Sequence, residues 1–121
     1  MRVPTCQASA MHRARHSSLS KDQVLARLRT ALDARYGDRL ERAVLFGSRA
    51  RGDARPDSDF DLAVFLRDYT DLWNELQPLG AITTDILQDT GAVISAKPFP
   101  AGQYRARTIL MGEIRREGID I

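Results

Sequence analysis

Asp59 and Asp61 stand one residue apart in the stretch Asp59-Phe60-Asp61-Leu62-Ala63-Val64-Phe65-Leu66. Side chains of an extended strand alternate between faces, so both carboxylates share one face, about 6–7 Å apart at the backbone. Two unpaired anions so placed repel each other and raise the pKa of one of them. A divalent cation removes that conflict. Magnesium takes hard oxygen ligands at about 2.0–2.1 Å and is commonly held by one or two carboxylates together with substrate phosphates. Such a pair can position a triphosphate and neutralise charge while phosphate is transferred. Acids also sit on solvated sheet faces with no such role, so the neighbouring residues must decide.

Upstream of the acids, Gly47 and Ser48 directly follow the apolar run Ala43-Val44-Leu45-Phe46. Glycine lets a backbone approach a ligand closely. The serine hydroxyl and the amides after it can form an anion-binding nest or helix N-terminus. Arg49, Arg51 and Arg55 supply positive charge for phosphate oxygens. The Gly-Lys-Ser/Thr ending of a Walker A loop is absent, so this is a different phosphate-handling device.

The elements around this loop set its geometry. Ser20 with Gln23 forms a capping box that opens a helix. Val24, Leu25, Leu28, Leu32 and Tyr36 mark that helix's buried stripe, and Gly37 ends it. Ala43 to Phe46 reads as a short buried strand. Gly47 to Asp57 is a loop with a helical turn after Ser48, limited by Pro56. Asp59 to Leu66 is the clearest strand, with Phe60, Leu62, Val64 and Leu66 on one face and Asp59, Asp61, Ala63 and Phe65 on the other. A helix over Asp71–Asp89 is expected to bury Leu72, Trp73, Leu76, Ile82 and Ile86, with Pro78 kinking or splitting it. Ala92 to Ala96 reads as a third strand, and Pro98 and Pro100 flank a turn. A last helix over Tyr104–Glu117 turns Ile109, Leu110 and Ile114 inward, Gly118 caps it, and Ile119 to Ile121 adds a short terminal strand. Alternating strands and helices predict an α+β fold, a small mixed sheet packed against helices.

A length of 121 residues fits one compact domain, and 43% apolar residues support a modest core. No run approaches the roughly 20 apolar residues that cross a bilayer, so no membrane association is expected. Residues 1–19 read as a flexible N-terminal tail and residues 20–121 as the domain. The tail holds Arg2, Arg13 and Arg15 and no acid. Overall 18 basic residues face 16 acidic ones. Without the tail's arginines the domain is close to neutral, which argues against nucleic acid as a partner. Cys6 also lies in the tail, so no internal disulfide forms, and a cytoplasmic location is expected. His12 and His16 have helical spacing but lack the further ligands a zinc site requires.

Taken together, Gly47-Ser48-Arg49-Ala50-Arg51-Gly52-Asp53-Ala54 and Ser58-Asp59-Phe60-Asp61-Leu62, with ten residues between Ser48 and Asp59, resemble the DNA polymerase β-like nucleotidyltransferase superfamily. The wording is similar to its minimal nucleotidyltransferases, and the resemblance spans roughly Asp22 to Ile121. It implies that Gly47 and Ser48 contact a nucleoside triphosphate, that Asp59 and Asp61 are catalytic and bind one or two Mg2+ ions, and that Arg49 assists with phosphate. It also implies a partner. Minimal nucleotidyltransferases are often paired with a helical HEPN protein, and as antitoxins they can move AMP from ATP onto a tyrosine of that toxin. Ile114-Arg115-Arg116-Glu117-Gly118-Ile119 resembles the ending of one branch of these proteins.

The resemblance departs at one point. The superfamily usually carries a third carboxylate on a later strand, and Ala92-Val93-Ile94-Ser95-Ala96-Lys97 holds no acid. Asp85, Asp89 and Glu113 fit solvated helix faces better. That gap motivates a second reading beside adenylylation of a protein, an antitoxin that is weak or inactive as a catalyst and acts by contact; a third keeps the chemistry but moves the group to a small aminoglycoside-type acceptor, for which 121 residues leave little room. Trp73 and Tyr104 are expected to pack rather than to stack on a base. Arg105, Arg107, Arg115 and Arg116 are expected to form a solvated face.

Overall fold

The computed structural model describes residues 20–121; the tail, with Cys6, His12 and His16, lies outside the described residues. Helix α1 covers Lys21–Tyr36. Its capping box is complete: the Ser20 amide donates to Gln23 Oε1 at 2.9 Å, and the Gln23 amide donates to Ser20 Oγ at 3.1 Å. The other main elements are β1 (Leu40–Phe46), α2 (Ser48–Arg51), β2 (Phe60–Leu66), α3 (Leu72–Thr90), β3 (Ile94–Pro100), α4 (Ile109–Glu117) and β4 (Ile119–Asp120). The four strands form one mixed sheet in the order β3-β2-β1-β4, with β2 and β3 parallel and both partners of β1 antiparallel to it. This is the α+β architecture expected.

The sheet is covered on both sides. On one face Leu45, Phe60, Leu62, Val64 and Leu66 meet Val24, Leu28 and Leu32 of α1 and Leu79 and Ile86 of α3. On the other, Val44, Ala63 and Phe65 meet Met111 and Ile114 of α4. Full burial of each large apolar side chain contributes about 1.5–3 kcal/mol, so β2, buried on both faces, is the anchor of the fold. Its second face also carries Asp61, and the packing of Phe65 therefore fixes the strand that presents that acid.

Several expectations are corrected. Trp73 is 70% exposed and Leu72 is exposed with it. The core-facing stripe of α3 is Glu75, Leu79, Ile86 and Thr90; of the expected residues, Ile86 is buried and Ile82 packs against the core. Glu75 is tolerated in that stripe because Arg39 Nη2 pairs with its carboxylate at 2.8 Å. Pro78 does not split α3; Glu75 and Leu79, both buried, hold the turns on either side of it. Pro98 and Pro100 do not flank a turn but lie within β3. That strand is the sheet edge, and two prolines two residues apart both direct their missing N–H toward the open side. The last helix starts at Ile109, because Thr108 caps it by accepting from the Met111 amide at 3.1 Å. That phase buries Met111 and Ile114, leaving Ile109 86% exposed and Leu110 exposed as well. Tyr104 packs edge-on against Phe65 with 5.4 Å between ring centroids. Among the described residues no helix is long and apolar enough to cross a membrane.

Candidate functional site

The antiparallel register of β1 and β2 sets Phe46 opposite Asp61. Gly47 therefore begins its turn beside that acid. Its φ of 75° lies in the left-handed region, and a Cβ there would collide with Oδ2 of Asp61. Two independent features thus require glycine: the backbone conformation and the space occupied by the carboxylate. Ser48 opens α2, a single turn closed by Gly52 at φ 86°. The Gly47 carbonyl accepts from the amides of Ala50 and Arg51, both at 3.1 Å. The amides of Ser48 and Arg49 open the helix and have no intrahelical acceptor, which leaves them directed out of the turn.

The return segment is held by its own contacts. The amide of Arg55 donates to Ser58 Oγ at 2.9 Å, and the Ser58 amide donates to the Arg55 carbonyl at 3.0 Å. Arg49 braces this turn: Nε and Nη2 donate to the Ser58 carbonyl at 3.2 and 2.9 Å, and Nη2 also donates to the Pro56 carbonyl at 3.0 Å. Its guanidinium lies 4.3 Å from the centre of the Phe60 ring. Two of its three nitrogens are thereby taken up within the loop, and a phosphate contact from Arg49 would draw on Nη1 alone. The amide of Phe60 donates to the Val93 carbonyl at 2.9 Å, tying the start of β2 to the approach to β3.

Asp59 is exposed immediately before β2, and Asp61 is partly buried within it. Burial raises the Asp61 pKa above the ordinary carboxylate value, and the negative charge of Asp59 raises it further; Lys97 and Arg51 pull it back. Arg51 is held on one side by Asp53 at 3.2 Å and on the other by Glu117 of α4 at 3.3 Å, which links the loop to the C-terminal helix. Asp85 and Asp89 lie elsewhere. Asp89 pairs with Arg27 of α1, and Asp85 lines the same hollow, on the helical side of the sheet away from Asp61. Glu113 is exposed on α4. Among the described residues no three acidic, histidine or cysteine side chains gather as a metal cage.

Gly47, Ser48, Asp59 and Asp61 are therefore brought together at one end of the β1–β2 pair. The donor set is of the kind a hard divalent cation takes: two carboxylates, one of them kept less acidic by burial and its neighbour, with Oδ2 of Asp61 lying against a glycine that has no side chain to displace it. The family model for the nucleotidyltransferase domain matches residues 25–112. The chain belongs to the nucleotidyltransferase domain family. This nucleotidyltransferase is similar over 85% of its length to 97% of a minimal nucleotidyltransferase of known structure, at 26% identity and a TM-score of 0.59. It shares its fold with MntA–HpeT, a toxin–antitoxin crystal structure, at 18% identity and a TM-score of 0.56, covering 84% of this chain and 72% of that one. A nucleotidyltransferase from Sulfolobus solfataricus shares the fold at 15% identity and a TM-score of 0.55, covering 81% of this chain and 76% of that one. No curated protein matches the chain.

The sequence indicated Gly47, Ser48, Asp59 and Asp61 by type and spacing. It gave no comparable sign of Lys97. The parallel register sets Ser95 beside Asp61 and Lys97 beside Ala63, so both side chains lie on the face of the acids. Phe65 and Phe99, the next pair on that face, stack with centroids 5.5 Å apart. The signal was strand pairing, which a single sequence does not display.

Proposed function

We propose that this nucleotidyltransferase moves a nucleoside monophosphate, AMP from ATP, onto a hydroxyl of a partner protein, and that the partner is a toxin of the HEPN type that the transfer silences. The observation that carries the reading is the apposition of Gly47 to the Asp61 carboxylate beside Asp59. In this reading residues 20–121 form the catalytic domain, and the protein works in the cytoplasm. Asp59 and Asp61 hold Mg2+, which when bound supplies charge neutralisation at the phosphates. Gly47 and Ser48 present backbone N–H groups and a hydroxyl to the triphosphate, while Arg49 keeps the loop in shape. The acceptor hydroxyl gives up its proton to water as its oxygen forms a bond to the α-phosphorus, the bond from that phosphorus to the α–β bridging oxygen breaks, and pyrophosphate leaves with the electron pair.

Related folds support the biological setting. One neighbour is a toxin–antitoxin crystal structure with AMP-PNP, 19% identical with a TM-score of 0.56 and covering 78% of this chain and 69% of that one. The MntA–HpeT structure is of a mutant in which two aspartates two positions apart are changed to glutamate. That spacing equals the spacing of Asp59 and Asp61 here.

Incubation with α-labelled ATP, Mg2+ and a co-expressed HEPN partner tests the proposal. Label is expected on the partner with wild-type protein and none with Asp59→Ala or Asp61→Ala. No transfer by the wild type, or transfer that survives both substitutions, contradicts it. A second reading is favoured by β3 placing Ser95, and no acid, beside Asp61: an antitoxin that neutralises its partner by contact. It expects Asp61→Ala to protect cells from the toxin as well as the wild type does, and loss of protection rules it out.

A further inference from the structure

Lys97 is a charged group with no role assigned so far on the sheet face that carries Asp61. It projects from the edge strand β3 on the face that carries Asp61, two residues beyond Ser95, and is exposed. No carboxylate pairs with it among the described residues. Its charge nonetheless reaches Asp61, where it offsets part of the effect of burial and of Asp59. An exposed cation on an edge strand is ordinary protection against edge pairing. Lys97 differs because it stands on the sheet face that carries Asp61, beside Ala63, and because the strand that carries it is the one on which the superfamily resemblance leads one to expect a third acid.

The sign of the charge at that place matters. A third carboxylate would add to the negative charge of Asp59 and Asp61 and invite a second divalent cation. A lysine does the opposite. It repels a second cation and offers three N–H donors to an anion. We infer that Lys97 is a phosphate-contacting residue of this site, whose ammonium group pairs with a nonbridging phosphoryl oxygen of the bound nucleotide and commits the site to one divalent ion in place of two. The inference rests on the nucleotide reading above. Arg51 does not fill this role, because Asp53 and Glu117 already hold its guanidinium.

The test measures binding rather than turnover, on the full chain, with AMP-PNP and Mg2+ in a calorimeter and with Mn2+ by electron paramagnetic resonance. Lys97→Met keeps the aliphatic stem, and Lys97→Arg keeps the charge. Lys97→Met is expected to weaken AMP-PNP about five- to tenfold, the scale of one charge-assisted contact. Lys97→Arg is expected to recover most of that loss. Lys97→Glu is expected to weaken AMP-PNP further while raising bound Mn2+ from one to two ions per chain in the nucleotide complex, a change of opposite sign that misfolding would not produce. If the wild type binds AMP-PNP and Lys97→Met binds it equally well, the role of Lys97 is overturned and the site stands. If the wild type binds no AMP-PNP, the site itself is overturned.

Discussion

Gly47 is where conformation and chemistry meet most closely. Any side chain there would need a left-handed backbone and the volume held by Oδ2 of Asp61. Gly47→Ala is therefore expected to cost about 1–3 kcal/mol of stability. It is also expected to displace the carboxylate, weakening Mn2+ binding at least about tenfold, or 1.4 kcal/mol. Denaturant titration and Mn2+ resonance read the two effects separately. Asp61 makes a pH prediction. Its pKa is raised in the fold, so the folded chain keeps that proton to higher pH than the unfolded chain does. The contribution of Asp61 to stability is then fully present below the ordinary carboxylate range and is lost as pH rises through the raised value. In the absence of divalent ions, Asp61→Asn should stabilise the protein at neutral pH by a few tenths of a kcal/mol, a modest effect because the group is partly exposed. The gain should vanish in acid. Denaturation curves at both pH values check the sign.

The loop between β1 and β2 acts as an element in its own right, and Arg49 is its brace. Arg49→Ala removes three hydrogen bonds and a cation–ring contact. It should loosen residues 52–59 without unfolding the sheet, visible as faster amide exchange at Ser58 and Phe60 with little change in overall stability. The pairing of Arg39 with buried Glu75 is the corresponding feature of α3. Arg39→Ala leaves that acid without its cation and should cost about 2 kcal/mol by chemical denaturation, less than a fully buried pair because Arg39 is partly solvated. These elements also show what the sequence displays and what it hides. Ser20 with Gln23 marked the start of α1, and the alternation of Asp59 to Leu66 marked β2, because both signals are local. Ile82 and Ile86 of α3 face the core as expected, but Leu72 and Trp73 do not, because Glu75 takes the core position in the first turns and only a distant arginine makes it tolerable. The phase of α4 was misread because Thr108, a capping residue inside a longer helical pattern, starts the helix late. Both prolines of β3 are intelligible only once that strand is known to lie at the edge.

Seen whole, the molecule places two acids and a phosphate-type loop at one end of a small sheet whose faces are otherwise covered by helices. Asp59 is exposed and the loop lies at the surface, so the site is open to an acceptor arriving from solvent. Leu72, Trp73 and Ile109 add exposed apolar area elsewhere on the surface. The proposed transfer requires the Gly47–Asp61 segment to be a metal-dependent triphosphate site. Calorimetric titration of AMP-PNP into the wild type and into the Asp59→Ala, Asp61→Ala double variant, with Mg2+ and with chelator, tests this directly. The account predicts wild-type binding that requires Mg2+ and is at least about tenfold weaker, 1.4 kcal/mol, in the folded double variant. Equal binding by both proteins, or binding indifferent to Mg2+, would contradict it.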